Sequence, residues 1–309
     1  MAYEGTYVEQ QRPKFDVLLF DLDDTLYPSS IGISNECLNN IGDYMIQKLG
    51  VEESKISSMC NLLYKNYGTT MAGLRAIGYT FDYDEYHRFY GFYTSTNIIT
   101  SHIILTRNIG LIILFLVFCS FVHGRLPYNK LKPDPILRHL LLSLPVRKLI
   151  FTNADRIHAV KVLSRLGLED CFEGIICFET LNPPMEATDS DIFDIIEYSS
   201  QPVSGVELPQ TPILCKPSEH AMQKALKIAN ITPQRAIFFD DSVRNIQVGK
   251  RIGLHTVLVG KSQRVKDADH ALESIHNIRE ALPELWEKDG KPEDVYYSGK
   301  VAIKTPVAA

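Results

Sequence analysis

A short apolar run, Val17-Leu-Leu-Phe20, ends in three carboxylates within four positions: Asp21, Asp23 and Asp24. An apolar run bounded by polar residues reads as a strand buried on both faces, the kind found in parallel sheets. In open α/β sheets, ligands bind beyond the carboxyl ends of the strands. Acids crowded this closely repel one another and stay ionised only with positive charge among them. A hard divalent cation with oxygen ligands supplies that charge, and Mg2+ is the usual one at phosphate sites.

The rest of the chain repeats the alternation. Apolar strands are expected at Lys148–Thr152, Gly174–Phe178, Ala236–Phe239 and Val257–Val259, with an extended run at Pro212–Cys215. Helices are expected at Ile157–Leu166, stopping near Gly167, at Ser218–Ile228, and at Ala271–Leu285 as a terminal helix. Strands alternating with helices predict an α/β fold with a doubly wound, mainly parallel sheet. Residues 31–145 read as mostly helical, with amphipathic stretches near 31–49, 52–66 and 84–90. That block is too long for a simple crossover and predicts an inserted helical cap domain. The expected core is therefore 15–30 and 146–285, between flexible ends at 1–14 and 286–309, with a surface loop at 183–210.

In a parallel sheet the strand ends lie on one edge, so groups far apart in sequence converge there. Strand one ends in Asp21 and Asp23, the next in Thr152 and Asn153, the run at 212–215 in Lys216, and the strand at 236–239 in Asp240 and Asp241. Carboxylates around a metal, one lysine, and small hydroxyl and amide donors make a phosphate site. Taken singly, each of these residues has a plainer reading. A single Asp after a strand is usually a helix cap or turn residue, Thr152-Asn153 could cap the helix beginning near Asp155, and Lys216 could be an exposed lysine.

The 309 residues carry a net charge of −5 and no basic block, which argues against nucleic acid or an anionic membrane as partner. Six scattered cysteines form no Cys-x-x-Cys pair, and the opening Met-Ala-Tyr-Glu-Gly-Thr lacks the pattern of a secretory leader. A reducing compartment is expected, cytoplasmic with nuclear as the alternative. One stretch is out of character: Ile109–Val122 is almost wholly apolar, yet at fourteen residues it is shorter than the roughly twenty that span a bilayer. A span there would also put Asp21 and Asp241 on opposite sides of a membrane.

The motifs Asp21-Leu-Asp23-Asp-Thr25, Phe151-Thr152-Asn153, Lys216-Pro217 and Phe239-Asp240-Asp241-Ser242 resemble the four ordered motifs of the haloacid dehalogenase-like hydrolases. Asp-Asp-Thr-Leu-Tyr-Pro, Thr-Asn-Ala-Asp and Phe-Phe-Asp-Asp-Ser, with Tyr67–Arg75 and His123–Tyr128, look like the pyrimidine 5'-nucleotidase-like branch and its plant relatives. The chain departs from that branch at 89–120. Removing those residues joins Arg88 to Phe121 and restores the pattern. An added segment, such as translated intron, and a buried cap helix are the two readings.

The resemblance implies a Rossmann-like core and a set of roles. Asp21 would attack phosphorus and form an aspartyl-phosphate. Asp23 would protonate the leaving oxygen and then deprotonate the water. Asp21, the Asp23 carbonyl and Asp241 would hold Mg2+, with Asp240 nearby. Thr152, the backbone near Asn153, and Lys216 would hold the phosphoryl oxygens. Tyr27 and Arg75 are candidate substrate contacts, with structural roles as the alternative. The expected activity is Mg2+-dependent hydrolysis of a small phosphorylated metabolite, a (pyrimidine) nucleoside 5'-monophosphate in the leading reading. The alternatives are a phosphatase for another small metabolite and a catalytically impaired binding or regulatory protein of the same fold.

Overall fold

The computed structural model of the chain describes residues 14–87, 121–183 and 208–286. The expectations for the two chain ends, the 89–120 insertion and most of the 183–210 loop fall outside those residues.

Among the described residues the elements run β1 (Val17–Phe20), α1 (Ile33–Gln47), α2 (Glu53–Tyr67), α3 (Thr70–Ala76), α4 (Tyr83–His87), α5 (Pro135–Ser143), β2 (Arg147–Phe151), α6 (Arg156–Leu166), β3 (Gly174–Ile176), α7 (Phe178–Leu181), α8 (Glu219–Ile228), β4 (Ala236–Asp240), α9 (Val243–Arg251), β5 (His255–Val259), β6 (His270–Leu272) and α10 (Ile278–Ala281). Six strands form one sheet in the order β3-β2-β1-β4-β5-β6, every pairing parallel. The order steps away from β1 in both directions, so β1 and β4 flank the switch point where such sheets open a crevice.

Alternation along the strands builds two cores. Leu18, Phe20, Ile150, Ile237, Phe239 and Val257 face one layer. Val17, Leu19, Leu149, Phe151, Phe238 and Leu258 face the other. The stacked rings of Phe20 and Phe239, 4.5 Å apart, fix β1 against β4 on the first side. Between β1 and β2 in chain order, α1–α4 pack around two further clusters, one on Tyr44, Tyr86 and Phe121 that also takes in Phe178, Ile213 and Cys215, and one on Met45, Leu63 and Leu74.

Helix starts follow local chemistry. Asp155 accepts from His158 N at 2.6 Å to cap α6, and Ser218 accepts from Ala221 N to cap α8. Gly167 ends α6 at φ 69°, the left-handed conformation that favours glycine. The 212–215 run, a bend at Pro212 and then irregular backbone, joins no strand among the described residues. The expected terminal helix at 271–285 is instead β6 followed by short helical turns. Sheet edge pairing with β5 outweighs the helical pattern there, because Leu272 completes the core beside Val259. No helix among the described residues is long and apolar enough to cross a membrane.

Candidate active site

Lys216 is the hub of the sheet's carboxyl edge. It is 2% exposed, and its ammonium donates to Asp21 Oδ1 at 2.7 Å, to Asp240 Oδ2 at 2.8 Å and to the Phe151 carbonyl at 2.8 Å. One side chain thus ties together the ends of β1, β2 and β4. Asp21 is held from both sides, since its amide donates to the Phe239 carbonyl and its Oδ2 accepts from Thr25 Oγ1 at 3.2 Å.

Asp240 is wholly enclosed and fully engaged. It accepts from Lys216, from Ser242 N at 2.8 Å and from Asn245 Nδ2 at 2.9 Å. Oxygens of Asp21, Asp240 and Asp241 lie within 4.8 Å of one another. Three carboxylates against one ammonium leave a surplus of two negative charges. Burial, Asp240 and Asp24 push Asp241 up to about 7. Burial also raises Asp21, with Lys216 pulling down and Asp240 and Asp241 pushing up. Lys216 is held above its ordinary value by Asp21 and Asp240 despite its burial. An all-oxygen donor set with surplus negative charge fits a hard divalent cation.

The Asp23 carboxylate turns away from this cluster. Its Oδ1 receives the Tyr27 hydroxyl and, at 2.8 Å, His158 Nε2. Burial alone would raise this carboxyl; the His158 and Tyr27 bonds outweigh it and hold Asp23 below the usual carboxylate range. Tyr27 is thereby occupied with Asp23. Asp24 adopts φ 58°, a left-handed backbone that aspartate tolerates better than most residues.

The Asn153 side chain is spent on Lys216: its amide donates to the Lys216 carbonyl at 2.9 Å and accepts the Lys216 amide at 2.8 Å. Asn153 therefore positions the lysine. Thr152 Oγ1 accepts from Ala154 N at 3.0 Å and shapes the same turn. Arg75 is engaged elsewhere, donating to the Tyr79 carbonyl and lying over the Phe81 and Tyr83 rings.

A second titratable group, His87, His123 and Asp155, also brings ligand-type atoms within 4.8 Å. Asp155 Oδ2 takes His123 Nδ1 at 2.9 Å while Oδ1 caps α6. Asp155 holds His123 well above its ordinary value, against burial, whereas burial holds His87 down at about 3. This is an ion pair that ties the 121–126 turn to the start of α6.

Sequence reasoning assigned no role to Thr25, His158, Tyr128, His123 or Asn245, although Thr25, His123 and Tyr128 lie within the motifs that carry the resemblance. A fainter signal existed for the other two. His158 sits three residues past the capping Asp155, and Asn245 sits three past Ser242, both in the first turn of a helix whose N-terminus faces the cluster.

The model of the family described as haloacid dehalogenase-like hydrolase matches residues 15–253. Phosphate metabolism protein 8 of Saccharomyces cerevisiae is 26% identical over 171 residues, covering 53% of this chain. The chain spans 43% of that relative's length. Among solved structures, a HAD phosphatase from Thermococcus onnurineus aligns at TM-score 0.45 and 14% identity, over 86% of this chain and 97% of that one. L-2-haloacid dehalogenase from Xanthobacter autotrophicus aligns at TM-score 0.40 and 13% identity, over 81% and 79%.

Proposed function

The chain belongs to the haloacid dehalogenase-like hydrolases, and from that premise we propose that it is a Mg2+-dependent phosphatase acting on nucleoside 5'-monophosphates, pyrimidine ones foremost. The observation that carries the reading is the division of labour between two carboxylates. Asp21 is locked to Lys216 beside Asp240 and Asp241, while Asp23, two residues on, is turned out to His158 and Tyr27. A nucleophile fixed against an ammonium, with acids beside it that suit a divalent cation, and a separate acid/base are what hydrolysis of a phosphate ester through a covalent intermediate needs.

An Asp21 oxygen attacks phosphorus; that P–O bond forms as the ester P–O bond breaks. Asp23 gives its proton to the departing oxygen, and then takes one from the water that frees phosphate from Asp21. The low proton affinity of Asp23 in the free protein rises when a phosphate dianion arrives beside it, because like charges disfavour the carboxylate. Lys216 and the backbone at the 152–153 turn hold phosphoryl oxygens, and Asn153 holds Lys216. Asp21 and Asp241, with the Asp23 carbonyl and with Asp240 behind, would hold the cation, whose chemistry is to neutralise the transferring oxygens.

Residues 31–145 act in this reading as a cap over the crevice and choose the substrate. The nucleotide preference rests on the likeness of Tyr67–Arg75 and His123–Tyr128 to the pyrimidine nucleotidase branch. A reducing, cytoplasmic setting is consistent with the five free cysteines among the described residues.

Phosphate release from a panel of nucleoside monophosphates and other small esters, with Mg2+ and with chelator, tests the proposal. Turnover that needs the metal and favours pyrimidine monophosphates is expected. Asp21→Asn should abolish it while circular dichroism stays unchanged. Equal turnover by that variant overturns the mechanism, and preference for another ester overturns the substrate.

A further inference from the structure

We propose that His158 is the positioning residue of Asp23: locked in place by Tyr128, it pins Oδ1 so that Oδ2 alone is left for the substrate and the carboxylate cannot swing into the acid cluster. The inference rests on the phosphatase reading above and adds a residue to it.

The geometry has three parts. First, both donors at Asp23 converge on one oxygen, Tyr27 Oη and His158 Nε2 on Oδ1; among the described residues no donor reaches Oδ2. The Asp23 side chain is 29% exposed, so its free oxygen has access to the crevice. Second, the imidazole cannot tilt. It is 2% exposed, its ring lies 4.5 Å from that of His123, and its Nδ1 meets Tyr128 Oη at 2.8 Å. Its own amide is bonded to Asp155 at 2.6 Å. Third, Tyr128 has a choice of acceptors, His158 Nδ1 at 2.8 Å or the His123 carbonyl at 3.1 Å. Its hydroxyl therefore supports the ring in either hydrogen-bonding state.

Asp23 needs such a brace. It lies two residues from Asp21 in a chain segment where a carboxylate gains by turning toward any cation the cluster holds. An acid/base captured by a cation could not shuttle a proton to the leaving oxygen. A hydrogen bond from a rigid, buried donor 135 positions away holds it out of reach.

The plainer alternative is a buried histidine satisfied for stability alone. Leaving-group dependence separates the two, because a good leaving group departs without a proton and a poor one does not. The full chain and its His158→Leu, His158→Gln and Tyr128→Phe variants are assayed with Mg2+ on p-nitrophenyl phosphate and phenyl phosphate, esters of nearly one shape.

General acid catalysis contributes roughly 10²–10⁴-fold, so His158→Leu should lose about 100-fold in kcat/KM on phenyl phosphate and about 10-fold or less on the nitro ester, a constant that ends at transfer to Asp21 and leaves out the later water step both esters share. His158→Gln, which returns an N–H donor near the Nε2 position, should recover most of the loss. Tyr128→Phe should shift the ratio of the two esters the same way, by less. Equal losses on both esters, or glutamine no better than leucine, overturn the inference. If His158→Leu fails to fold, the ratio in His158→Gln and Tyr128→Phe decides: unchanged in both, it counts against the proposal. No turnover of either ester by the unaltered chain sinks the phosphatase reading and this inference with it. An active chain with an insensitive ratio sinks this inference alone.

Discussion

Lys216 shows how much one side chain can be asked to do. A lysine ammonium buried to this depth would ordinarily lose its charge. It keeps it because Asp21 and Asp240 approach it within 2.8 Å. The dependence is mutual, as those carboxylates have no other cation among the described residues. Removing one partner of a buried pair leaves charge uncompensated and costs about 3–5 kcal/mol. Lys216→Met, close in length and apolar, should therefore lower stability by about that amount in chelator, with recovery of part of it when Mg2+ is added. Urea unfolding with and without the metal reads both effects. A variant as stable as the parent in chelator would mean the acids are neutral there and that the charge argument fails.

At the level of elements, the decisive contact joins α2 to the turn that carries Lys216. Gly68 ends α2 at φ 87°, and a Cβ on it would lie 2.3 Å from the Lys216 carbonyl oxygen and 2.6 Å from Pro217 Cδ. Both obstacles are rigid: one is backbone and the other a proline ring. Arg244 closes the same junction, donating to the Tyr64 and Lys65 carbonyls at the end of α2. Gly68→Ala should thus cost more than the roughly 1–2 kcal/mol of left-handed strain alone, and should lower kcat by displacing Lys216. Differential scanning fluorimetry with a turnover assay checks this; normal values of both would show that the turn gives way freely. That junction was invisible in the sequence, since Gly68 and Lys216 announce nothing about each other. The strand ends were legible for the opposite reason. Buried parallel strands must be apolar throughout, so the point where Phe20 gives way to Asp21, or Phe239 to Asp240, marks the sheet edge directly. β6 was not legible because three residues cannot display a period. His158 escaped because a buried histidine on a helix face looks like any core residue until its partner across the fold is known.

Stability of the whole molecule should carry the sign of the His123–Asp155 pair. His123 is raised in the fold, so its contribution is complete below its unfolded value of about 6.5 and is lost as pH rises through the folded value. Asp155 is depressed, against burial, by His123, so its contribution is complete above about 3.9 and is lost as pH falls through the folded value. The pair is therefore worth most between about pH 4 and 6.5. His87 works against it there: held neutral at about 3 in the fold, it costs stability as pH falls below about 6.5. The difference in unfolding free energy between the parent chain and His123→Gln should be largest near pH 5.5 and shrink as pH rises through the folded value of His123. A gap that does not change with pH would show that the pair is not ionised as described.

The same region decides what the 89–120 segment means for the molecule. The Tyr86 carbonyl accepts from Val122 N at 3.3 Å, and the His87 and His123 rings lie 5.3 Å apart. Tyr86 and Phe121 pack on one ring, that of Tyr44, and Asn40 on α1 donates to the Val122 carbonyl at 2.8 Å. With 89–120 removed, the chain would read 86, 87, 88, 121, 122, and the bond between Tyr86 and Val122 would have the i to i+4 spacing of an α-helix. A hydrogen bond of helical register thus already joins the end of α4 to the 121–126 turn. Closing the chain by a single residue, rather than through a long segment, also lowers the entropy cost of holding the flanks together. A chain lacking 89–120 should fold with the same circular dichroism, melt no lower than the full chain, and turn over phosphate esters at least as fast. A deletion that collapses the fold or abolishes turnover would make the segment an integral part of the cap, and the apparent helical register of its borders a coincidence.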